Sequence, residues 1–112
     1  MKSNPKNNGV VLIVDDDPDA ISMLNAALSE AQMTALVALS GEQALTIARR
    51  IRPDLILMDA MMPGMDGFEA CQKIKSDTVI AHIPVVFMTG LSASEDMVKG
   101  FDSGGIDYVT KP

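Results

Sequence analysis

The sequence predicts an α/β fold in which helices cover both faces of a parallel β-sheet. Short apolar runs, at residues 10–14, 55–58, 85–88 and 108–109, are separated by amphipathic segments of helix length. Continuous apolar runs of this size, separated by segments of helix length, are typical of parallel strands buried on both faces. Because each run ends on a polar residue, we also expect polar side chains along one edge of the sheet.

Capping and helix-breaking residues delimit the first two predicted helices. Asp17 can cap a helix that has Pro18 at its first position, and residues 34–39 form the strand that follows. Ser40 begins a capping-box pattern at the start of the second helix, and Pro53 ends that helix. The apolar residues at helical spacing that should face the core are Ile21, Leu24, Leu28, Ala31, Ala44, Ile47, Ala48 and Ile51.

The rest of the chain contains two more predicted helices. The loop at residues 60–66 is rich in turn-forming residues and leads into the third helix. A second capping-box pattern at Ser92 and a glycine pair at residues 104–105 delimit the fourth. The residues that mark the inner face of the third helix are Phe68, Cys71 and Ile74. The sequence therefore predicts five β/α units, of which the last is incomplete.

Length and composition indicate one compact domain. The 112 residues suffice for a single core, and 47% hydrophobic with 21% charged residues are globular values. No apolar run approaches the roughly 18 residues of a membrane span. Residues 1–8 are polar, so we expect a cytoplasmic protein with a flexible leader at residues 1–9. Cys71 is the only cysteine, which excludes an intrachain disulfide. The net charge of −6 argues against nucleic-acid binding by this segment.

The polar residues at the strand ends point to chemistry on a phosphoryl group. Asp15 and Asp16 follow the first strand, Asp59 the third and Thr89 the fourth, with Lys111 near the end of the last. Carboxylates gathered at one edge repel one another unless a hard divalent cation such as Mg²⁺ compensates them. A carboxylate can also attack phosphorus to form an acyl phosphate, and a lysine and a hydroxyl would then stabilise the phosphoryl oxygens.

These residues lie in segments that closely resemble the receiver domain of two-component response regulators, the CheY-like family. The segments, in the order and spacing of the family, are residues 10–18, 53–67, 85–90 and 107–112. The resemblance implies a doubly wound five-stranded parallel sheet with the flavodoxin-like order 2-1-3-4-5, and a receiver domain over residues 10–112. In the family a fifth helix follows the Lys-Pro pair. Since this chain stops at Pro112, we expect a receiver truncated after its last strand and belonging to something longer.

The resemblance also implies roles for individual residues. Asp59 is the expected phosphoacceptor, assisted by Thr89 and Lys111. The expected Mg²⁺ ligands are Asp15, Asp16, Asp59 and the backbone carbonyl of Met61. The expected switch residues are Thr89 and Tyr108. Met61 and Leu91 are expected to flank the path of the water that hydrolyses the acyl phosphate, and so to set its lifetime.

The function expected from this resemblance is signalling rather than enzymatic turnover. The domain would accept a phosphoryl group on Asp59 from a sensor histidine kinase, a phosphotransfer protein or a small donor. It would catalyse only its own phosphorylation and dephosphorylation, and would change its surface for an output domain or a partner. An output domain beyond residue 112 and a homodimer formed on activation are compatible with this role.

Other interpretations remain open at this point. An Mg²⁺-dependent phosphohydrolase of the haloacid-dehalogenase type also uses an aspartyl nucleophile, but carries a second Asp two residues later, where this chain has Met61. A receiver-like interaction module that is never phosphorylated usually lacks the acceptor, an acidic residue or the lysine, and none is lost here.

Single residues also have structural interpretations. Asp17 is assigned to the helix cap, Thr89 can be a β-branched strand residue, and Tyr108 can be a half-buried side chain that only packs against its neighbours.

Overall fold

A five-stranded parallel sheet with the strand order β2-β1-β3-β4-β5 organises the chain. The computed structural model describes residues 9–62, 64–89 and 107–110. The elements are β1 (Val10–Val14), α1 (Pro18–Glu30), β2 (Thr34–Ala38), α2 (Gly41–Ile51), β3 (Leu55–Asp59), α3 (Gly67–Lys75), β4 (Val85–Thr89) and β5 (Asp107–Thr110). The predicted fold class and strand order are confirmed. The predicted fourth helix and most of the predicted leader lie outside the described residues.

The direction in which strands are added to the sheet reverses at β1. This strand pairs with β2 on one side, where Val11 is opposite Ala35, and with β3 on the other, where Val11 is opposite Leu55. Because β-α-β connections are right-handed, the reversal places α1 and α2 on opposite faces of the sheet. A crevice therefore opens beyond the carboxyl ends of β1 and β3, which is where open α/β sheets bind their ligands.

The larger hydrophobic core lies on the side of the sheet that α2 and α3 cover. Leu12, Ile56 and Phe87 are wholly buried in it, and the ring of Phe68 lies 5.0 Å from that of Phe87 between centroids. The predicted inner face of α3 is confirmed, since Phe68, Cys71 and Ile74 are all buried. The intervening residues of β1 are also wholly buried and face the opposite side of the sheet. Both faces of β1 are thus covered, as its apolar sequence predicts.

The inner faces of α1 and α2 differ in part from the predicted stripes. Ala31 is exposed because it is the C-cap of α1, and Ile51 is 53% exposed because the chain leaves α2 at Arg52, whose φ is 53°. Leu45 is buried in α2, although the predicted stripe does not contain it. Ala44 and Ala48 are buried as predicted, while the remaining predicted positions, Ile21, Leu24, Leu28 and Ile47, are half-buried.

Five strand boundaries differ by one residue from the prediction, two of them in β5, which spans Asp107–Thr110 rather than residues 108–109. β2 ends at Ala38 rather than Leu39, because the Leu39 N–H donates to Gln43 Oε1 at 2.6 Å, one residue before the N-cap Ser40. β3 and β4 each extend one residue further than predicted, through Asp59 and Thr89. The two polar residues therefore belong to the sheet itself, which restrains their backbones.

Two cationic side chains hold the segment between α3 and β4. Lys75 Nζ donates to the carbonyl oxygens of Ala81 and Ile83, at 3.1 and 2.6 Å. Arg49 Nε binds Asp77 Oδ2 at 2.7 Å, and this hydrogen bond holds the pKa of the Asp77 carboxyl below its usual range.

None of the three described helices has the length and apolar character needed to cross a bilayer.

Cys71 should be unreactive in the folded protein. Burial raises the pKa of its thiol to about 11, against a smaller lowering effect of nearby Lys75. At pH 8 only about one thiol in a thousand would be ionised, and the thiolate is the reactive form. We expect the reaction with a disulfide reagent at this pH to be much slower in buffer than in denaturant. Equal rates in the two conditions would contradict the buried, inert position of this side chain.

Candidate functional site: a carboxylate cluster at the sheet edge

Three carboxylates meet at the carboxyl ends of β1 and β3. Asp15 and Asp16 directly follow β1, and Asp59 is the last residue of β3. One side-chain oxygen of each lies within 4.8 Å of the others. Asp15 is wholly buried and Asp59 is 4% exposed, whereas Asp16 is exposed. The cluster therefore reaches from the interior to the surface, so that a small ligand can enter from the Asp16 side.

Backbone hydrogen bonds fix the two buried carboxylates of this cluster. The N–H of Asp15 donates to the carbonyl oxygen of Ala38 at 3.1 Å, and its Oδ1 accepts the N–H of Asp17 at 3.0 Å. Oδ1 of Asp59 accepts the N–H of Met61 at 3.2 Å. The positions of both carboxylates are thus set by the ends of strands and by the turns that follow them.

Asp17 has a different task from its two neighbours. Its side chain accepts the N–H of Asp19 at 3.0 Å and caps α1, with Pro18 at the first helical position. It does not belong to the group of three carboxylates. The assignment of Asp17 to the helix cap is therefore confirmed. Of the three consecutive aspartates, Asp15 and Asp16 belong to the carboxylate cluster and Asp17 caps α1.

The other residues predicted for the site are described in part. Thr89 is the last residue of β4, and its backbone pairs with Thr110 at the end of β5, so both lie toward the edge that carries the carboxylates. The backbone of Tyr108 lies within β5. Leu91 and Lys111, which were predicted to tune the lifetime and to bind phosphate, lie outside the described residues.

Met61 contributes through its backbone and presents its side chain to solvent. Its N–H donates to Asp59, and its side chain is 63% exposed. The role predicted for the backbone of Met61 concerned its carbonyl group and not its N–H. A signal was available, because Asp side chains commonly accept the N–H two residues later in a turn.

The chemistry of the cluster fits a hard divalent cation. Carboxylate oxygens are the ligands that Mg²⁺ and Mn²⁺ prefer, and Mg²⁺ is usually held by one or two carboxylates together with water and phosphate oxygens. Three carboxylates within 4.8 Å of one another, two of them buried, supply such oxygens and gain from a compensating charge. The cluster could therefore hold a metal ion.

A separate cleft of about 570 Å³ lies near the C-terminal ends of α2 and α3. Its lining residues are Arg49, Gln72, Lys73, Ser76 and Asp77. Arg49 and Asp77 bind each other there. Within the described part of the chain, the side chains that could hold a metal ion together are the three carboxylates of the cluster. The residues that line the cleft do not form such a group. We therefore place the functional site at the carboxylates.

The fold and the carboxylate site together define a CheY-like receiver domain. The chain matches the family model of the response regulator receiver domain over residues 11–112, and it belongs to that family. It is thus a signalling domain of two-component response regulators and not an enzyme in the ordinary sense. The match does not favour the phosphohydrolase or the unphosphorylated interaction module.

Individual relatives agree with the family assignment. The response regulator PleD of Caulobacter vibrioides is 44% identical over 102 residues, which cover 91% of this chain and 22% of PleD, so the chain spans less than a quarter of that relative. The N-terminal domain of a response regulator receiver protein from Methanoculleus marisnigri JR1 has a TM-score of 0.88 and 32% identity, covering 95% of this chain and 86% of that one. The Mn²⁺-bound form of response regulator Rcp1 has a TM-score of 0.84 and 25% identity, and the match covers 93% of this chain and 81% of the Rcp1 chain.

Neutralising Asp16 should weaken Mg²⁺ binding more than neutralising Asp17. A cation that binds only the folded state stabilises it by mass action, by about 2.7 kcal/mol at a hundred times the Kd. We expect Mg²⁺ to raise the Tm of the unsubstituted protein, and Asp16→Asn to reduce that rise. Asp17→Asn is the matched control, because Asn caps a helix as well as Asp does. Equal reductions in the two variants, measured by thermal denaturation with and without Mg²⁺, would mean that the metal site is placed wrongly.

Proposed function

We propose that the domain accepts a phosphoryl group on Asp59 while Mg²⁺ is held by Asp15, Asp16, Asp59 and the backbone carbonyl of Met61. The observation that carries this proposal is the gathering of three carboxylates within 4.8 Å at the point where the strand order reverses. The Mn²⁺-bound form of Rcp1 supports a divalent cation in a domain of this fold. We assign the receiver unit to residues 10–112.

Asp59 acts as the nucleophile in this proposal. Its Oδ1 is held by the Met61 N–H, which orients the carboxylate. One carboxylate oxygen forms a bond to phosphorus as the P–N bond of a phosphohistidine, or the P–O bond of a small acyl phosphate, breaks. The leaving group keeps the bonding electron pair, and a departing imidazole takes up a proton. The bound cation supplies charge compensation for the carboxylates and for the phosphoryl oxygens.

Thr89 and Lys111 complete the phosphoryl site and connect it to the surface. We assign to them the hydroxyl and the ammonium group that stabilise the phosphoryl oxygens. The pairing of Thr89 with Thr110, which directly precedes Lys111, supports this assignment because it brings both chain segments to one edge. Phosphorylation would shift an existing two-state equilibrium, in which Thr89 and Tyr108 change position together.

The partners in this proposal follow from the chemistry of the acceptor. The phosphoryl donor is a sensor histidine kinase, a phosphotransfer protein or a small molecule such as acetyl phosphate. The receiver of the signal is an output domain or a separate protein, and the greater length of PleD is compatible with an attached output region. A homodimer formed on activation is compatible with the same switch.

Asp59→Asn should abolish phosphoryl uptake. The amide that replaces the carboxylate is a poor nucleophile, while its size and shape are nearly the same. Uptake is measured by intact-protein mass spectrometry after incubation with Mg²⁺ and acetyl phosphate. Asp66→Asn is the control, because Asp66 caps α3 and Asn can replace it in that role. A phosphoryl mass increment of the same size in Asp59→Asn would disprove the assignment.

The phosphorylated state should be comparatively long-lived. Hydrolysis needs a water in line with phosphorus on the side away from Asp59, and the side chain of neither Met61 nor Leu91 can orient such a water by a hydrogen bond. Met61 is 63% exposed, which is consistent with a position beside the path of entering water. Met61→Asn together with Leu91→Glu should accelerate dephosphorylation by about tenfold or more, and more than either substitution alone.

Dephosphorylation is measured as loss of phosphate after the donor is removed, at saturating Mg²⁺ and in the full-length protein. The two single variants serve as controls for the combined one. An unchanged or slower decay in the double variant would show that water access at these two positions does not set the lifetime.

A further inference from the structure

The first residue of α3 lies directly against the backbone of Asp59. Gly67 is buried, and its N–H donates to the carbonyl oxygen of Ala60 at 3.0 Å. A Cβ atom added at Gly67 would overlap the carbonyl oxygen of Asp59, and would lie 2.9 Å from both the carbonyl carbon of Asp59 and the Cα of Ala60. All three neighbours are backbone atoms, so a side chain at this position could not be accommodated by a change of rotamer.

Neither of the two elements that meet at Gly67 is free to move away. Ala60, directly after β3, donates its N–H to the carbonyl oxygen of Met88 at 3.1 Å, which ties the end of β3 to β4. α3 is capped by Asp66, whose Oδ1 accepts the N–H of Glu69 at 2.9 Å. Its inner face is buried in the core. The absence of a side chain at Gly67 therefore determines how closely α3 approaches the Asp59 peptide.

We infer that Gly67 is a positioning residue for Asp59. Its missing side chain lets the Asp59–Ala60 peptide lie at the depth where the Asp59 carboxylate meets Asp15 and Asp16 and accepts the Met61 N–H. A shift of this peptide would carry the carboxylate away from the other two and would alter the oxygen set offered to a divalent cation. The inference rests on the proposed function of Asp59. It assigns Gly67 a role in that function that is exerted through the backbone of Asp59 and not by contact with metal or phosphate.

Two other glycines of the chain provide matched controls. Gly64 lies in the same loop and has φ +75°, but a Cβ there would meet nothing within 4 Å, so Gly64→Ala adds backbone strain without an obstruction. Gly41 is the first residue of α2, and a Cβ there would lie 3.0 Å from Sδ of Met65, a flexible side chain, and 3.2 Å from Cβ of Ala70 in α3. Gly41→Ala therefore presses on α3 through side chains without touching the backbone of Asp59, and controls for crowding of that helix as such.

The test compares Gly67→Ala with the two controls in the full-length protein. Mg²⁺ affinity is measured by amide chemical shifts well below the Tm, where a loss of global stability does not affect the result. We expect Gly67→Ala to weaken Mg²⁺ binding by roughly ten- to a hundredfold, as displaced support of a metal ligand does. Without metal, its amide shifts should change at residues 59–61. Gly64→Ala and Gly41→Ala should keep the Mg²⁺ affinity of the unsubstituted protein, whatever their Tm.

Phosphoryl uptake from acetyl phosphate is the second measurement, and it separates the two proposals. Failure of the unsubstituted protein to take up phosphate would count against the proposed function, whereas an unchanged Mg²⁺ affinity in Gly67→Ala would overturn the positioning role alone. An equal loss of affinity in Gly64→Ala would also overturn it, because loop strain would then suffice.

A double variant provides a second test if Gly67→Ala alone does not fold. Ala60→Gly combined with Gly67→Ala gives the obstructed peptide more freedom to adjust. If this double variant folds, its Mg²⁺ affinity should still be reduced. If neither variant folds, the positioning role is wrong, because Gly67 would then be required by the fold as a whole.

Discussion

Mutual repulsion among carboxylates held in one crevice is the constraint on which the rest of this structure depends. At a separation of 4.8 Å and an effective dielectric constant of about 20, two full charges repel by about 3.5 kcal/mol. Since a domain is stable by only about 5–15 kcal/mol, such a cluster weighs heavily against folding unless counter-charges compensate it. The same repulsion favours a divalent cation at the cluster.

The fold can hold this cluster because the carboxylates sit on its most rigid part. β1 is paired on both sides and buried on both faces, so that Asp15 begins at a fully restrained strand end. Asp59 ends β3, the next strand of the sheet, and α3 starts against its peptide at Gly67. Sheet pairing, core packing of α3 and the site geometry are thus one connected set of contacts.

Much of the fold was predictable because its signals are local. The strands β1, β3 and β4 follow from short apolar runs, and caps at Asp17 and Ser40 mark the helix starts within a residue. Except for Leu45, which is buried in the middle of α2 outside the predicted stripe, the misplaced positions are at element ends. Leu39 leaves β2 because its N–H bonds to Gln43, and Ile51 is exposed because the chain turns at Arg52. Helical periodicity identifies a face, but where that face stops touching the core depends on the neighbouring elements.

The sequence by itself determined the residue types at the strand ends, and parallel pairing then made Asp16 and Asp59 neighbours although they are far apart in the chain. The helix cap at Asp17 was also predictable, because Pro18 follows it. Only the tertiary structure decided that Asp15 is buried while Asp16 is exposed. It also decided how closely α3 approaches the Asp59 peptide. Local propensities describe each residue with its chain neighbours, whereas burial and close approach between distant segments arise from the packing of helices on the sheet.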